Sequence, residues 1–248
     1  MKVARFVQEG QPPRYGIIDG DELVVLKGDP LFAGFDTLDE RVPLADASLV
    51  APVIPRSKLI GFVPGVPDED DPDAAVDPVM YLEPNTAVVG PGDSVRVPDG
   101  IGTVEAFGAL AIVIGSLARD VRPGDAAQVV FGYTVANDVT ATDLARADGQ
   151  WARAKSYDSF TPLGPVIETE LDSETVEVIV DIDGDEKRRG TLSTDIATAI
   201  EQASAVATLL PGDVILIPLL DGVELDEGVT VEVTIPTIGT LRSDIRAR

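Results

Sequence analysis

The sequence comprises 248 residues, of which 44% are hydrophobic, and sets 43 acidic against 19 basic side chains for a formal net charge of -24. That apolar share suffices for a packed globular core, while the charge would repel nucleic-acid phosphates and anionic lipid. Histidine and cysteine are both absent, which excludes disulfides, thiolate or imidazole metal ligands, a cysteine nucleophile and every Ser-His-Asp arrangement.

The acidic residues are spread along the chain, and ammonium groups occur only at Lys2, Lys27, Lys58, Lys155 and Lys187. Dispersed carboxylates keep a protein hydrated where molar salt screens ordinary repulsion, so the composition predicts a halophilic surface. No basic start precedes a long apolar run, and no stretch reaches the ~20 apolar residues a bilayer span needs. The expected location is the cytoplasm, without membrane or nucleic-acid partners.

Residues 1–27 alternate as a strand, a turn at Asp19-Gly20-Asp21 and a further strand, which predicts a small N-terminal β-domain. Together with a connector it occupies residues 1–57. The main domain, residues 58–248, opens on the buried strand LIGFV. Residues 64–78 are acidic, carry Pro64, Pro67, Pro72 and Pro78, and predict a mobile surface loop. Short apolar runs bounded by glycine and proline follow: TAVVGPGDSVRVP, LAIVIG, AQVVFGYTVAND, VEVIVDIDGD, DVILIP and VTVEVTIPTIGTL. They predict a mostly β (α+β) domain with one clear helix, Ser193 to Leu210, ended by Pro211-Gly212.

The succession VMYLEPNTAVVGPGD, LAIVIG, GYTVANDVTATD, GQWARAKSYDSFTPLGP, DIDGDEKRRG, LLPGDVI and IGTLRSDI resembles the fumarylacetoacetate hydrolase superfamily over residues 58 to 245. The resemblance implies a mixed β-roll core with few helices, a small N-terminal β-domain and dimerisation. It also implies a carboxylate-held Mg2+ or Mn2+ that binds a small 2-oxo or enol acid and stabilises the developing enolate.

Carried over residue by residue, that site is depleted. The family's Glu-x-Glu ligand positions are Phe107 and Ala109 here, which offer a ring and a methyl group. Glu105 lies two residues back, about 6–7 Å away along a strand, and is either a replacement ligand or one more surface carboxylate. The family's aspartate ligand is matched by Asp138, and its active-site lysine by Lys155. Lys155 could polarise a carbonyl, form a Schiff base, or pair with Asp138 or Asp143 across a vacated cavity. Asp143 and Gln150 are the expected substrate-side residues. Glu83 replaces a lysine, Pro218-Leu219-Leu220 replaces Gly-Thr-Pro, and Val63-Pro64 replaces Asn-Tyr. The lid histidine of hydrolytic members is gone, leaving Glu69 as a poor substitute base among prolines.

These substitutions fall together on metal, base and substrate positions. They predict a catalytically impaired or non-catalytic protein with no metal or weak Mg2+/Mn2+, acting as a ligand-binding subunit, a homodimer, or a heteromer with an active family member. The alternative is a metal-dependent hydrolase, isomerase or decarboxylase of acylpyruvates, 2-hydroxyhepta-2,4-dienedioate or oxaloacetate, built on Asp138, Glu105 and Lys155.

Overall fold

A computed structural model describes residues 1–63, 78–172 and 176–248. The predicted acidic loop, including Glu69, lies outside the described residues except for Pro78. Among the described residues the chain forms two sheets, one of 13 strands and one of 5, which matches the mostly β class the sequence predicts.

Two long strands, Val104–Ile114 and Val130–Ala141, form the centre of the larger sheet as an antiparallel pair. The first is apolar apart from Glu105, and the second is buried from Gly132 onward although it carries Thr134, Asn137, Asp138 and Thr140. Alternation sends Ala106, Leu110 and Ile112 into one apolar cluster, and Ala109, Ala111 and Val113 into another with Leu59, Leu163 and Val214. At Gly108 the smaller sheet presses close against the larger one. A Cβ there would stand 2.7 Å from Val180 Cγ2 and 2.9 Å from Val178 Cγ1, so the missing side chain sets the spacing between sheets.

On one side of the central pair, Val214–Pro218 runs antiparallel to Val104–Ile114 and parallel to Leu59–Val63, which pairs in turn with Val79–Glu83. On the other side, Thr161–Glu168 pairs with Val130–Ala141 and also with the first strand, Lys2–Val7. The N-terminal strands Arg14–Asp19, Glu22–Leu26 and Thr37–Pro43 extend the sheet from there. The N-terminal β-unit is therefore hydrogen-bonded into the same sheet as the core.

Two expectations need correction. Residues 28–57 are more than a connector, because they contain the short helix Pro30–Ala33 and the strands Thr37–Pro43 and Ser48–Val50. The predicted helix from 193 to 210 is confined to Ile196–Val206, since Asp195 caps its N-terminus through the Thr198 N–H at 2.9 Å. It is also accompanied by the short helices Thr142–Asp148 and Ala152–Lys155, which are too brief to show helical periodicity. Gly149, at φ 63, ends the first of these.

Gly108→Val should lower stability by about 1–3 kcal/mol, the usual cost of overpacking, measured by urea unfolding. An unchanged midpoint would mean that the sheets separate freely at this point.

Candidate functional site

Strand register brings the site together. Phe107 lies directly across from Asp138, Glu105 across from Thr140, and Ala109 across from Ala136, so these six side chains share one face of the central pair. The face is open at the end that carries Glu105, Phe107, Asp138 and Thr140. There it borders a cavity of about 400 Å3 whose walls also include Val63, Trp151, Lys155, Pro218, Leu219 and Leu220.

Lys155, at the end of the short helix Ala152–Lys155, is the centre of the buried polar group. Its side chain is 1% exposed and that of Asp138 is 0% exposed. The ammonium donates to Asp138 Oδ1 at 2.5 Å and to Thr140 Oγ1 at 2.7 Å. It lies 4.4 Å from the centre of the Tyr81 ring, with the Phe107 and Trp151 rings at 5.7 and 5.8 Å, within the range of cation–π attraction. Two hydrogen bonds and a ring face thus account for its three N–H donors.

The other oxygen of Asp138 is taken by Tyr81, whose hydroxyl donates to Oδ2. Tyr81 reaches it because Gly61 stands across the strand pair. A Cβ on Gly61 would lie 2.0 Å from the Tyr81 ring. Burial first, and then the negative charge of Asp138, push the Tyr81 hydroxyl well above its ordinary pKa, so it remains a donor.

Glu83, two residues beyond Tyr81 on the same strand face, is also buried. It accepts from Thr161 Oγ1 at 2.6 Å through Oε2, its Oε1 is buried, and the carboxyl lies within hydrogen-bond reach of Asp138. Burial, then the neighbouring Asp138 carboxylate, push its pKa well above the usual carboxylate range, with Lys155 opposing. A neutral acid leaves the group with one carboxylate against one ammonium, which is the arrangement burial favours.

The remaining predicted residues separate. Glu105 and Gln150 line the cavity, with Gln150 Oε1 accepting from the Ala152 N–H at 2.6 Å. Asp143 does not. It is exposed, accepts from the Thr103 N–H at 2.9 Å and from Arg146 at 2.8 Å, and these contacts, that of Thr103 first, hold its pKa below the usual value. Asp143 therefore ties the short helix to the preceding strand, and the expectation that it faces substrate or pairs with Lys155 is replaced by the Asp138 pairing.

Phe107 faces the cavity. Its ring packs where Gly222 lacks a side chain; a Cβ there would be 2.6 Å from Cζ. Ala109 is fully buried in an apolar cluster. Among the described residues the side chains at this site are a poor fit for a divalent cation, which needs several oxygen donors. Both oxygens of Asp138 are engaged, and no group of three acidic side chains suited to a metal occurs among the described residues. The sequence reading missed Tyr81, Thr140 and Trp151. The available signals were the glycine across from Tyr81 and the only tryptophan standing four residues before Lys155.

Residues 62–246 match the family described as Fumarylacetoacetate (FAA) hydrolase C-terminal, and residues 1–52 match Rv2993c-like, N-terminal. The chain belongs to the fumarylacetoacetate hydrolase family. It is 40% identical over 228 residues to Protein Rv2993c of Mycobacterium tuberculosis, covering 88% of this chain and 84% of that protein. Its fold superposes with a TM-score of 0.91, at 37% identity and full coverage of both chains, on the crystal structure of 5-carboxymethyl-2-hydroxymuconate delta-isomerase from Mycobacterium smegmatis. The crystal structure of 2-hydroxyhepta-2,4-diene-1,7-dioate isomerase from Mycobacterium marinum matches at a TM-score of 0.89 and 34% identity, over all of this chain and 99% of that one.

Two outcomes follow. Lys155→Met alone should cost about 3–5 kcal/mol near neutral pH, because it strands a buried carboxylate, and combining it with Asp138→Leu should restore much of that; urea unfolding of the singles and the double measures it. Glu83, with its raised folded pKa, contributes stability that is fully present below its unfolded pKa and is lost progressively as pH rises from there through the folded pKa. Glu83→Gln should therefore lose less stability than the natural protein as pH rises from the ordinary glutamate value of about 4.5 toward neutrality. Parallel limbs from weakly acid to neutral pH in thermal unfolding would contradict a neutral Glu83.

Proposed function

We propose that this chain has left the metal-dependent chemistry of its family and works as a small-molecule-binding protein, either as a homodimer or as the partner of an active family member. The observation that carries this reading is the closed Asp138 group, in which Lys155 and Tyr81 use both oxygens that a cation would need. Phe107 and Ala109 add no oxygen beside it. What remains is a cavity of about 400 Å3 with largely apolar walls, within the size range of small-ligand pockets.

A metal-dependent isomerase, hydrolase or decarboxylase of 2-oxo acids is the second reading. It is favoured by the names of the similar isomerase structures and by Glu105 lining the same cavity as Asp138 and Lys155. For this reading the Lys155 ammonium would have to leave Asp138 before a cation could enter. Manganese binding, followed by electron paramagnetic resonance in molar KCl, separates the two. The natural protein should show no saturable binding and no acceleration of oxaloacetate tautomerisation or decarboxylation, whereas saturable binding abolished by Asp138→Ala would establish the enzyme reading.

The setting proposed is a salt-rich cytoplasm, supported by the charge of -24 and the scarcity of lysine. Among the described residues no helix is long and apolar enough to cross a membrane. The thermal unfolding midpoint should keep rising as KCl is raised into the molar range, beyond the point where simple screening saturates. A midpoint that levels off at physiological ionic strength would contradict salt adaptation.

A further inference from the structure

The charges on the cavity wall decide what it can hold. Lys155 is already neutralised by Asp138, and Arg146, exposed at the rim, is committed to Asp143. An anionic ligand therefore meets only cations that already have a carboxylate partner, Lys155 in a buried pair and Arg146 in an exposed one. Glu105, in contrast, lines the cavity and has no ion pair or hydrogen bond among the described residues. Residues 64–77 and 173–175 contain no lysine or arginine to supply a cation.

The register makes this carboxylate more exceptional. Glu105 pairs directly across from Glu224 on the short strand Val223–Glu224, which places two like charges side by side. Directly opposed like charges destabilise a strand pair, and among the described residues no cation bridges these two. Next to Glu105 on its own strand face is the ring of Phe107, and Trp151 adds a second ring to the wall. The same two rings already stand within 6 Å of one ammonium, that of Lys155. A carboxylate beside aromatic faces is the chemistry that recognises an organic ammonium. A bare metal ion is a poorer match, because among the described residues no group of three acidic side chains suited to a metal occurs.

Resting on the reading of this cavity as a metal-free binding pocket, we propose that it takes an organic cation, an ammonium compound with an apolar body, whose charge lies between Glu105 and the Phe107 and Trp151 rings. The apolar body fills the space against Pro218, Leu219 and Leu220. The ligand's charge also offsets the repulsion between Glu105 and Glu224. This ligand is opposite in sign to a 2-oxo acid, and the reversal follows from the same replacements that closed the metal position.

Trp151, the single tryptophan, reports binding by its own fluorescence. Three probes share one apolar body and differ in charge: 4-phenylbutylamine, 4-phenylbutan-1-ol and 4-phenylbutyrate. In metal-free KCl solution the amine should bind saturably and about tenfold or more tighter than the alcohol, with the acid weakest. Glu105→Gln should weaken the amine about tenfold and leave the alcohol unchanged, while urea unfolding shows the variant folded. Equal binding of amine and alcohol, an amine affinity indifferent to Glu105→Gln, tighter binding of the acid, or no response to any probe would each overturn the inference. The binding-pocket reading fails separately, by manganese binding that depends on Asp138.

Discussion

The ammonium of Lys155 and the carboxylate of Asp138 face one another at 2.5 Å where neither reaches solvent. Taking two ions out of water is costly, and their attraction offsets that cost only when the remaining donors and acceptors are also satisfied. Here they are: Thr140 accepts from the ammonium, Tyr81 donates to the carboxylate and presents its ring to the ammonium, and Gly61 leaves room for that ring. The surrounding strands are constrained accordingly. Val79–Glu83 must bring Tyr81 to Asp138, and the helix Ala152–Lys155 must deliver its last residue to the centre of the sheet.

Once that pair is closed, the rest of the site changes character. Asp138 is engaged on both oxygens by Lys155 and Tyr81, and the neighbouring Phe107 fills space against Gly222 where the family's ligand pair would place an oxygen. Glu83 adds a second buried carboxyl, and burial beside Asp138 favours its neutral form. Among the described residues, Glu105 is the cavity-lining charge without an ion pair. A site that would otherwise gather positive charge for an anionic substrate thus becomes apolar, aromatic and locally negative.

Much of this was legible in the sequence. Long apolar runs bounded by glycine and proline located the central strands, because strands buried on both faces leave that pattern. The order of motifs located Asp138 and Lys155 and revealed the empty ligand positions at Phe107 and Ala109. What the sequence did not show was partnership. Tyr81 and Asp138 lie 57 residues apart, on strands separated by three others, and no local pattern encodes that contact. The helices that hold Asp143 and Lys155 are 7 and 4 residues long, too short for periodicity, so the outward turn of Asp143 toward Thr103 was hidden. Glu105 could be placed on a strand face, but its pairing with Glu224 depends on register.

The most direct test of the central claim is a crystal structure of the protein soaked in manganese at molar KCl, with anomalous scattering used to locate the metal. The account predicts no manganese peak at Asp138 and a Lys155 ammonium still bonded to Oδ1. A peak coordinated by Asp138 and Glu105, with Lys155 displaced, would contradict it.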